Sequence, residues 1–334
     1  MKKKNKKLKK IFIIVGSIFL VLVISFLFLL YGPYSGFRDF LITSSMTTKS
    51  HQYIAKFFYS DKTIDKVLKK NGIIEGDKST DTNLINIKKK KKSKTYKNEY
   101  EKQILDRSEN ESLYKVINVS GKTYQGYLVA IYDPSRVGIA TTRYLGVRGE
   151  AIDNVAKRYG AVVAMNAGGF YDPDWNSNGA LPHGIVSEYA KANVGGGMVG
   201  FTNDNKLVLG KFSKREALNM GIRDAVEFGP FLIINGEASK VLGNGGWGIA
   251  PRTAIGQRQD GIVLFLVING RIPTSIGADM NDLIDIMQRY GAYNAANMDG
   301  GSSTELVINN KIINKPVAGG RDGLRDMPTF WIVK

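Results

Sequence analysis

The hydrophobic positions divide the chain into two parts of different texture. Seven lysines in the first ten residues are followed by the apolar run "IFIIVGSIFLVLVISFLFLLYG" at residues 11–32, and no charged residue occurs from Ile11 to Gly36. About 20 consecutive apolar residues match the hydrocarbon thickness of a bilayer. Residues 11–32 are therefore predicted to form a transmembrane anchor in contact with the lipid bilayer, preceded by a cytoplasmic basic tail at residues 1–10.

Two other interpretations of this run are disfavoured. A buried core helix would not be apolar on every side, and here only Ser17 and Ser25 interrupt the run. A signal peptide would be shorter and would end on small residues at a cleavage site, whereas this run ends in "FLLYGPYSGF". Because positive flanks stay inside, we expect a single-pass protein of the cell membrane, with a cytoplasmic N-terminus and the remaining chain outside.

The next two segments differ in their apolar content. Residues 33–75 have apolar positions near helical spacing, which predicts two short juxtamembrane helices, with Ser60 or Asp61 as an N-cap and Gly72 as a C-cap signal. Residues 76–110 are polar and lysine-rich, which predicts a mobile linker. The five lysines Lys88–Lys92 could touch anionic lipid or wall polymer, but a solvated linker is the favoured interpretation.

From residue 111 to 334 short β-rich runs alternate with Gly, Asn and Asp. The predicted helices are Glu150–Tyr159 and Asp279–Tyr290, and the clearest predicted strands are "YKVINVS", "YQGYLVAIYDP", "GAVVAMN", "GIVLFLVING", "YNAANMD" and "TFWIVK". This pattern indicates an α+β fold: a mixed β-sheet domain, of more than one sheet, with a few packed helices, preceded by the N-terminal transmembrane helix.

One helix-to-strand unit occurs twice within this domain. "EAIDNVAKRYGAVVAMNAGGFYD" and "MNDLIDIMQRYGAYNAANMDGGSS" each have a helix, then R-Y-G-A, then an apolar strand, then Asn or Asp close to a glycine pair. The repeat places Asn166 and Asp299 at equivalent strand ends. Since loops after sheet strands often carry function, these two residues become candidates.

Composition excludes several classes of site and partner. The chain has no cysteine, which excludes disulfides, thiolate nucleophiles and Cys-ligated metals. The net charge of +17 is concentrated in the tail, since residues 1–110 contain 24 Lys and Arg against 10 Asp and Glu. A nucleic-acid-binding protein would carry this excess on its folded domain, so we expect no nucleic-acid partner.

The polar residues of the domain cluster in four phrases. These are "AMNAGGFYDPDWNSNGALPHG", "APRTAIGQRQDG", "VINGRIPTSIGADM" and "NMDGGSST". Asp172 and Asp174 could ligate a hard cation such as calcium, although their phrase is equally an Asx-rich turn. His183 could shuttle a proton, but a lone His between Pro and Gly more often packs or faces solvent. Asn235, Asp260 and Asn269 precede glycines and fit ordinary turns.

Five ordered phrases together resemble one family. "MNAGGFYDP", "APRTAIGQ", "VINGR", "GADMNDLIDIM" and "NAANMDGGSSTELVIN", over residues 113–334, are similar to the phosphodiester glycosidases. These are relatives of N-acetylglucosamine-1-phosphodiester α-N-acetylglucosaminidase, and bacterial members are often called exopolysaccharide biosynthesis proteins. The resemblance implies hydrolysis of a sugar phosphodiester at the anomeric carbon, with a carbohydrate or glycopolymer phosphodiester as the substrate.

The resemblance also implies the positions of the site. Three family elements are matched, with two glycines here where many members have three before the serines. The matched residues are Asn166, Gly168, Gly169 and Phe170; Pro251, Arg252 and Thr253; and Asp299, Gly300, Gly301, Ser302 and Ser303.

The chemistry of such a reaction suits this set of residues. Glycosidic cleavage passes through an oxocarbenium-like transition state that two carboxylates usually flank. We expect Asp299 to be catalytic, with Asn166 beside it, and Arg252 and Arg271 to hold the phosphate. Glu150 is the candidate second carboxylate because it opens the helix leading to Asn166; the alternative role, which stays open, is a helix N-terminal charge.

Two other functions stay open at this point. The first is a non-catalytic carbohydrate-binding or scaffolding module of a surface-polymer assembly complex. The second, a metal-dependent phosphodiesterase that cleaves the P–O bond, is disfavoured because the sequence has no His-rich cluster. The one candidate cofactor is a divalent cation, calcium.

Overall fold

The structure is a computed structural model. It describes residues 2–47, 51–76, 79–87, 95–171, 181–182, 184–186 and 197–334. The chain divides into two compact units. Unit 1 comprises Met1–Gly72 with Leu242–Gly248, and unit 2 comprises Ile73–Val241 with Ile249–Lys334.

Unit 1 is helical. Its helices are α1 (Lys2–Tyr31), α2 (Ser35–Met46), α3 (Gln52–Phe58) and α4 (Asp61–Lys70). Within α1, residues Lys9–Tyr31 form the one helix of the described chain that is long and apolar enough to cross a membrane. Most large apolar side chains of this stretch are exposed, whereas Leu30 is buried against the short helices. Length and apolar composition are the two properties that this helix shares with membrane-spanning segments.

Three short helices follow α1 where the sequence predicted two. The predicted N-cap is found at Ser60, whose Oγ accepts the Thr63 N–H at 3.4 Å. The helix ends at Lys70, and Asn71 rather than Gly72 is its C-cap. The Asn71 side chain also accepts the Asn244 N–H at 2.9 Å. This bond connects the distant loop Leu242–Gly248 to the helices, which local sequence patterns do not reveal.

Unit 2 contains the remaining helices and most of the strands. Its helices are α5 (Glu99–Leu105), α6 (Ile152–Tyr159), α7 (Lys214–Asn219) and α8 (Met280–Arg289). The strands of the described chain are β1 (Gly72–Ile74), β2 (Tyr114–Ser120), β3 (Gln125–Ile131), β4 (Val137–Thr141), β5 (Val163–Asn166), β6 (Phe170–Tyr171), β7 (Leu181–Pro182), β8 (Ile185–Val186), β9 (Gly197–Thr202), β10 (Leu207–Lys211), β11 (Ile222–Glu227), β12 (Phe231–Ile234), β13 (Glu237–Ala238), β14 (Lys240–Leu242), β15 (Arg252–Arg258), β16 (Val263–Ile268), β17 (Ala292–Met298), β18 (Leu306–Ile308), β19 (Lys311–Ile312) and β20 (Thr329–Val333).

Two large sheets form the centre of unit 2. The seven-stranded sheet has the order β13-β12-β17-β15-β16-β3-β2, and the five-stranded sheet has the order β19-β18-β5-β20-β4. A four-stranded sheet, β10-β9-β11-β8, adds to them. The predicted α+β class with several sheets is confirmed. The paired strands described within the two large sheets run antiparallel. The two similar helix–strand units do not form a parallel pair, because β5 belongs to one sheet and β17 to the other.

The main core lies between these sheets. Met165 and Trp331 of the five-stranded sheet pack in one cluster with Phe265 and Met298 of the seven-stranded sheet. The Trp331 Nε1–H donates to the Met298 sulfur at 3.3 Å. The opposite face of the five-stranded sheet is covered by α6, through a second cluster that includes Ile152. Both sheets are thus fixed close to the ends of β5 and β17.

The segment predicted as a mobile linker is held in place where the structure describes it. Thr80 exchanges hydrogen bonds with Leu209: its N–H donates to the Leu209 carbonyl at 3.1 Å, and its Oγ1 accepts the Leu209 N–H at 2.9 Å. Ile85 is 2% exposed, and Ile104 of α5 is fully buried. Composition suggested mobility because apolar residues are sparse, but Ile85 and Ile104 are buried in unit 2. The run Lys88–Lys92 lies outside the described residues.

Replacing Ile85 by Ala tests this docking. We expect the free energy of unfolding to fall by about 2–5 kcal/mol, because a buried apolar side chain is lost and a cavity is left. The measurement is urea denaturation of the full chain in detergent. Leu84→Ala is the matched control, since Leu84 is 41% exposed. Equal stability of the two variants would show that this segment does not pack on unit 2.

Candidate functional site

The candidate site lies where β5 and β17 end. β5 ends at Asn166, and Asp299 directly follows β17. The Asn166 Nδ2–H donates to the Asp299 carbonyl at 2.5 Å, and the Asp299 N–H donates to the Ala167 carbonyl at 3.1 Å. The two strand ends that the internal repeat made equivalent are therefore joined directly, although their strands belong to different sheets.

Asn166 is the centre of a buried hydrogen-bond network. It is 1% exposed. Its Oδ1 accepts the Thr253 hydroxyl at 2.8 Å and the Glu305 N–H at 3.1 Å. An amide side chain has both donor and acceptor groups, so Asn166 can connect β15, β17 and β18 at once. This burial suits a residue that positions Asp299 more than one that contacts a substrate.

The glycine pairs allow the backbone to pack closely. A Cβ on Gly168 would lie 2.7 Å from the Val226 Cβ, and one on Gly300 would lie 3.0 Å from the Pro251 carbonyl oxygen. Gly301 has φ +60° and donates its N–H to the Pro251 carbonyl at 2.8 Å. Paired glycines can also let a ligand approach the backbone closely. At Gly168 and Gly300 the close neighbours are protein atoms. Gly169 also packs by backbone, with its N–H donating to the Glu227 carbonyl at 3.1 Å.

Two arginines lie beside the turn that follows Asp299. Arg252 is 4% exposed, and its Nε–H donates to the Ala278 carbonyl at 3.2 Å. Arg271 is exposed and donates to the Ser302 hydroxyl at 3.3 Å. Burial, together with repulsion from Arg271, lowers the pKa of Arg252 to about 10, while Asp279 opposes this shift. Both guanidinium groups are charged at neutral pH, and their mutual repulsion favours an anion between them.

A third arginine, Arg325, was not selected from the sequence. Its Nη1–H donates to the Ser303 hydroxyl at 3.1 Å, and its guanidinium lies 4.7 Å from the centre of the Phe170 ring. Phe170 belongs to a family-matched phrase, but "GGRDGLRDMP" around Arg325 has no spacing that indicates a site. Only the tertiary structure brings Arg325 to the serine turn.

Glu305 is a buried carboxyl group that sequence reasoning also missed. It is fully buried, and its Oε1 accepts the Arg325 N–H at 2.6 Å. Its Oε2 has no hydrogen-bond partner within the described part of the chain. Burial raises the pKa of Glu305 well above 4.5; Asp153 and Asp326 add to this shift, while Arg325 opposes it. The available signal was a carboxylate inside the apolar run "TELVIN".

Glu150 has a different environment. It is 7% exposed, with Oε1 3.1 Å from Arg143 Nη2 and Oε2 2.9 Å from Arg158 Nη2. Burial alone would raise the pKa of Glu150. Hydrogen bonds from the Arg143 backbone and from Arg158 outweigh this effect, so the pKa is lowered. An ionised, doubly paired carboxylate suits an ion-pair role more than proton donation. Its catalytic role stays a prediction.

Three other candidates lie outside the described residues: Asp172, Asp174 and His183. Among the described residues, no group of three or more His, Asp or Glu side chains could hold a metal ion. The proposed calcium site therefore stays a prediction.

Comparison with known proteins identifies related chains. A family model described as phosphodiester glycosidase matches residues 159–334. The SPbeta prophage-derived uncharacterized protein YomE of Bacillus subtilis is 28% identical over 60% of this chain and 33% of its own length. N-acetylglucosamine-1-phosphodiester alpha-N-acetylglucosaminidase of Bos taurus is 24% identical over 54% of this chain and 37% of its own. The chain thus spans about a third of these curated relatives.

One solved structure shows the same fold. It is the catalytic domain of zebrafish N-acetylglucosamine-1-phosphodiester alpha-N-acetylglucosaminidase, auto-inhibited by its pro-peptide. The TM-score is 0.55 at 19% sequence identity, covering 66% of this chain and 81% of that one. The likeness therefore extends over most of unit 2.

Replacing Glu305 by Gln tests its buried, protonated state. Because the folded protein holds this proton above pH 4.5 and the unfolded chain does not, the contribution of Glu305 to stability is complete below pH 4.5. It is lost as pH rises through the raised pKa. Gln cannot ionise, so we expect wild type to lose stability relative to Glu305→Gln as pH rises above 4.5, by at most about 1.4 kcal/mol per pH unit.

The measurement is chemical denaturation of both proteins at several pH values. Glu237→Gln is the matched control, since Glu237 is exposed on strand β13. A stability difference between wild type and Glu305→Gln that does not change with pH would contradict the assignment.

Proposed function

The chain belongs to the phosphodiester glycosidase family, and on this premise we propose that it hydrolyses a sugar-1-phosphodiester at the anomeric carbon. The observation that carries this proposal is the position of Asp299 next to the cationic turn. A Cβ atom added to Gly300 would lie 3.7 Å from the Arg252 Cα, and the Arg271 side chain donates a hydrogen bond to the Ser302 hydroxyl. The Asp299 carboxylate and the two arginines therefore lie at one four-residue turn, residues 299–302.

The two parts of this site have separate chemical roles. Asp299 acts at the anomeric carbon, where it activates water or stabilises the developing oxocarbenium charge. Arg271, with the charge of Arg252 behind it, binds the phosphate and stabilises the negative charge that grows on it as the bond breaks. A phosphate is already a good leaving group, so it needs less protonation than an alcohol. This supports a site with more arginine than acid.

The buried groups hold these parts in position. Asn166 fixes the Asp299 backbone, and Glu305 holds the backbone of Arg325, whose side chain reaches Ser303. Buried hydrogen bonds thus support the turn that begins at Asp299 and contacts Arg271. Rigid support of this kind keeps reacting groups within the narrow limits that catalysis requires.

The proposed location follows from α1. Its apolar stretch is long enough to span a bilayer, and seven lysines precede it. A single-pass anchor with a cytoplasmic N-terminus places unit 2 outside the cell, as a hydrolase of cell-wall or exopolysaccharide metabolism. If the full chain binds glycan phosphodiesters but turns none over, it is instead a carbohydrate-binding module of a polymer assembly complex.

Replacing Asp299 by Asn tests the catalytic assignment. The full chain in detergent is incubated with diesters of N-acetylglucosamine 1-phosphate, and NMR identifies the products. Free sugar plus phosphomonoester is expected from wild type, whereas sugar phosphate plus alcohol would indicate P–O cleavage. Asp299→Asn should lose roughly 10²- to 10⁴-fold in kcat and still bind substrate. Asp326→Asn, an exposed substitution of the same kind, should retain activity.

Replacing Arg271 by Ala tests the phosphate contact. We expect KM to rise by about ten- to a hundredfold, because a charge-assisted hydrogen bond is lost, while the fold is kept because Arg271 is exposed. Arg252→Ala is less suitable, since it removes a buried, hydrogen-bonded side chain. Arg321→Ala is the matched control, as Arg321 is exposed and pairs with Asp153. An unchanged KM for Arg271→Ala would exclude the contact.

A further inference from the structure

A cationic pocket separate from the candidate site lies along the edge strand β4 in unit 2. Its volume is about 520 Å³, within the range of small-ligand sites. Residues from the end of β4, from the end of α6 and from the last position of the sequence line it. Its lining includes Thr141, Arg143, Arg158, Tyr159 and Lys334.

Glu150 fixes the two arginines of this pocket. It lies 3.1 Å from Arg143 Nη2 and 2.9 Å from Arg158 Nη2. Arg158 Nη2 also donates to the Thr141 carbonyl at 2.6 Å. A guanidinium has five N–H donors, and the hydrogen bonds and ion pairs described for the Arg143 and Arg158 side chains use one Nη nitrogen of each. Glu150 therefore orients both side chains and leaves them donor capacity for a ligand.

The net charge of the pocket is positive. The side chains of Arg143, Arg158 and Lys334 contribute three positive charges, against the one negative side-chain charge of Glu150. The Lys334 Nζ lies 5.3 Å and the Arg158 guanidinium 4.7 Å from the centre of the Tyr159 ring. Two oriented guanidinium groups next to an ammonium group favour an oxyanion with several oxygens, such as a phosphate diester, over a neutral ligand.

Sheet register relates this pocket to the candidate site. β4 and β5 both pair antiparallel with β20, so they run in the same direction. Thr141 pairs with Thr329, and Asn166 pairs with the next residue, Phe330. The C-terminal ends of β4 and β5 therefore lie at the same end of the five-stranded sheet, two strand spacings apart, or about 10 Å. A chain molecule with repeated phosphates can reach both places.

We propose that this pocket is a second anion subsite, which binds the next phosphodiester of a polymeric glycosyl phosphate while Asp299 acts on the first. This inference rests on the proposed function and narrows its substrate class to polymers with successive phosphodiesters. It also gives Glu150 a role: it positions Arg143 and Arg158 and does not exchange protons with the substrate.

The test measures binding without turnover. Full-length Asp299→Asn protein in detergent is titrated calorimetrically with two probes: the methyl diester of N-acetylglucosamine 1-phosphate, and a synthetic dimer of the same sugar with two phosphodiesters. We expect the dimer to bind at least about tenfold tighter than the methyl diester, because the second contact is intramolecular. Adding Arg143→Ala and Lys334→Ala should remove this advantage and leave the affinity for the methyl diester unchanged.

The control removes the same charge outside the pocket. Arg136→Ala with Lys157→Ala deletes two exposed cations and should keep the advantage of the dimer. Lys334→Glu is a second test variant, since Lys334 has no described contact with Glu150; it should weaken the dimer at least about tenfold while Arg143 and Arg158 stay paired with Glu150. Circular dichroism and the melting temperature check that each variant is folded.

Three results would overturn the proposal: equal affinity for the two probes, an advantage of the dimer that survives the pocket substitutions, or equal binding of a dimer with carboxylates in place of phosphates. The proposed function fails separately. If wild type hydrolyses neither probe, but the dimer advantage still depends on Arg143 and Lys334, the subsite stands and the activity does not. If neither probe binds, pyrophosphate is titrated; binding that the pocket substitutions abolish supports an anion subsite, and no binding overturns it.

Discussion

The hydrogen bond from the Asn166 side chain to the Asp299 backbone determines the architecture of the site. It connects the ends of two strands that belong to different sheets. Each strand follows its own helix, and neither helix–strand unit contains information about the other. The packing of Trp331 on Met298 between the sheets brings the strand ends to the same place. With Asn166 in this position, Thr253 and Glu305 can share its Oδ1.

Environment gives the acidic groups near this sheet edge different properties. Two arginines compensate for the burial of Glu150 and lower its pKa, whereas burial raises the pKa of Glu305, whose only described side-chain contact is one backbone N–H. Asp299 is partly exposed at the turn, where its Oδ1 accepts the Gly300 N–H at 3.0 Å. Carboxyl side chains therefore serve as an ion-pair anchor, as a buried support and as the accessible carboxylate. Such separation by environment is the usual way in which proteins assign acid and base roles.

Positive charge has two distinct uses in this chain. The lysines at the N-terminus and in residues 76–110 account for most of the net charge. The arginines of unit 2 are fewer, but several are oriented by carboxyl, hydroxyl or carbonyl groups. Oriented guanidinium groups lose less entropy when they bind an anion than freely moving side chains do. The orientation of its arginines, and not its net charge, therefore supports the proposed anion binding by unit 2.

The sequence by itself determined the main elements of the fold and named Asn166, Asp299, Arg252 and Arg271 as candidate site residues. Hydrophobic periodicity located the long apolar helix, α6, α8 and the strands before Asn166 and Asp299, because period and capping are local properties of the chain. The ordered phrases predicted the family, and the match over residues 159–334 confirms it. The tertiary structure alone decided which carboxyl groups are buried, which arginine reaches the serine turn, and that residues 79–87 are docked. These properties depend on contacts between residues far apart in the sequence, and local patterns contain no record of such contacts.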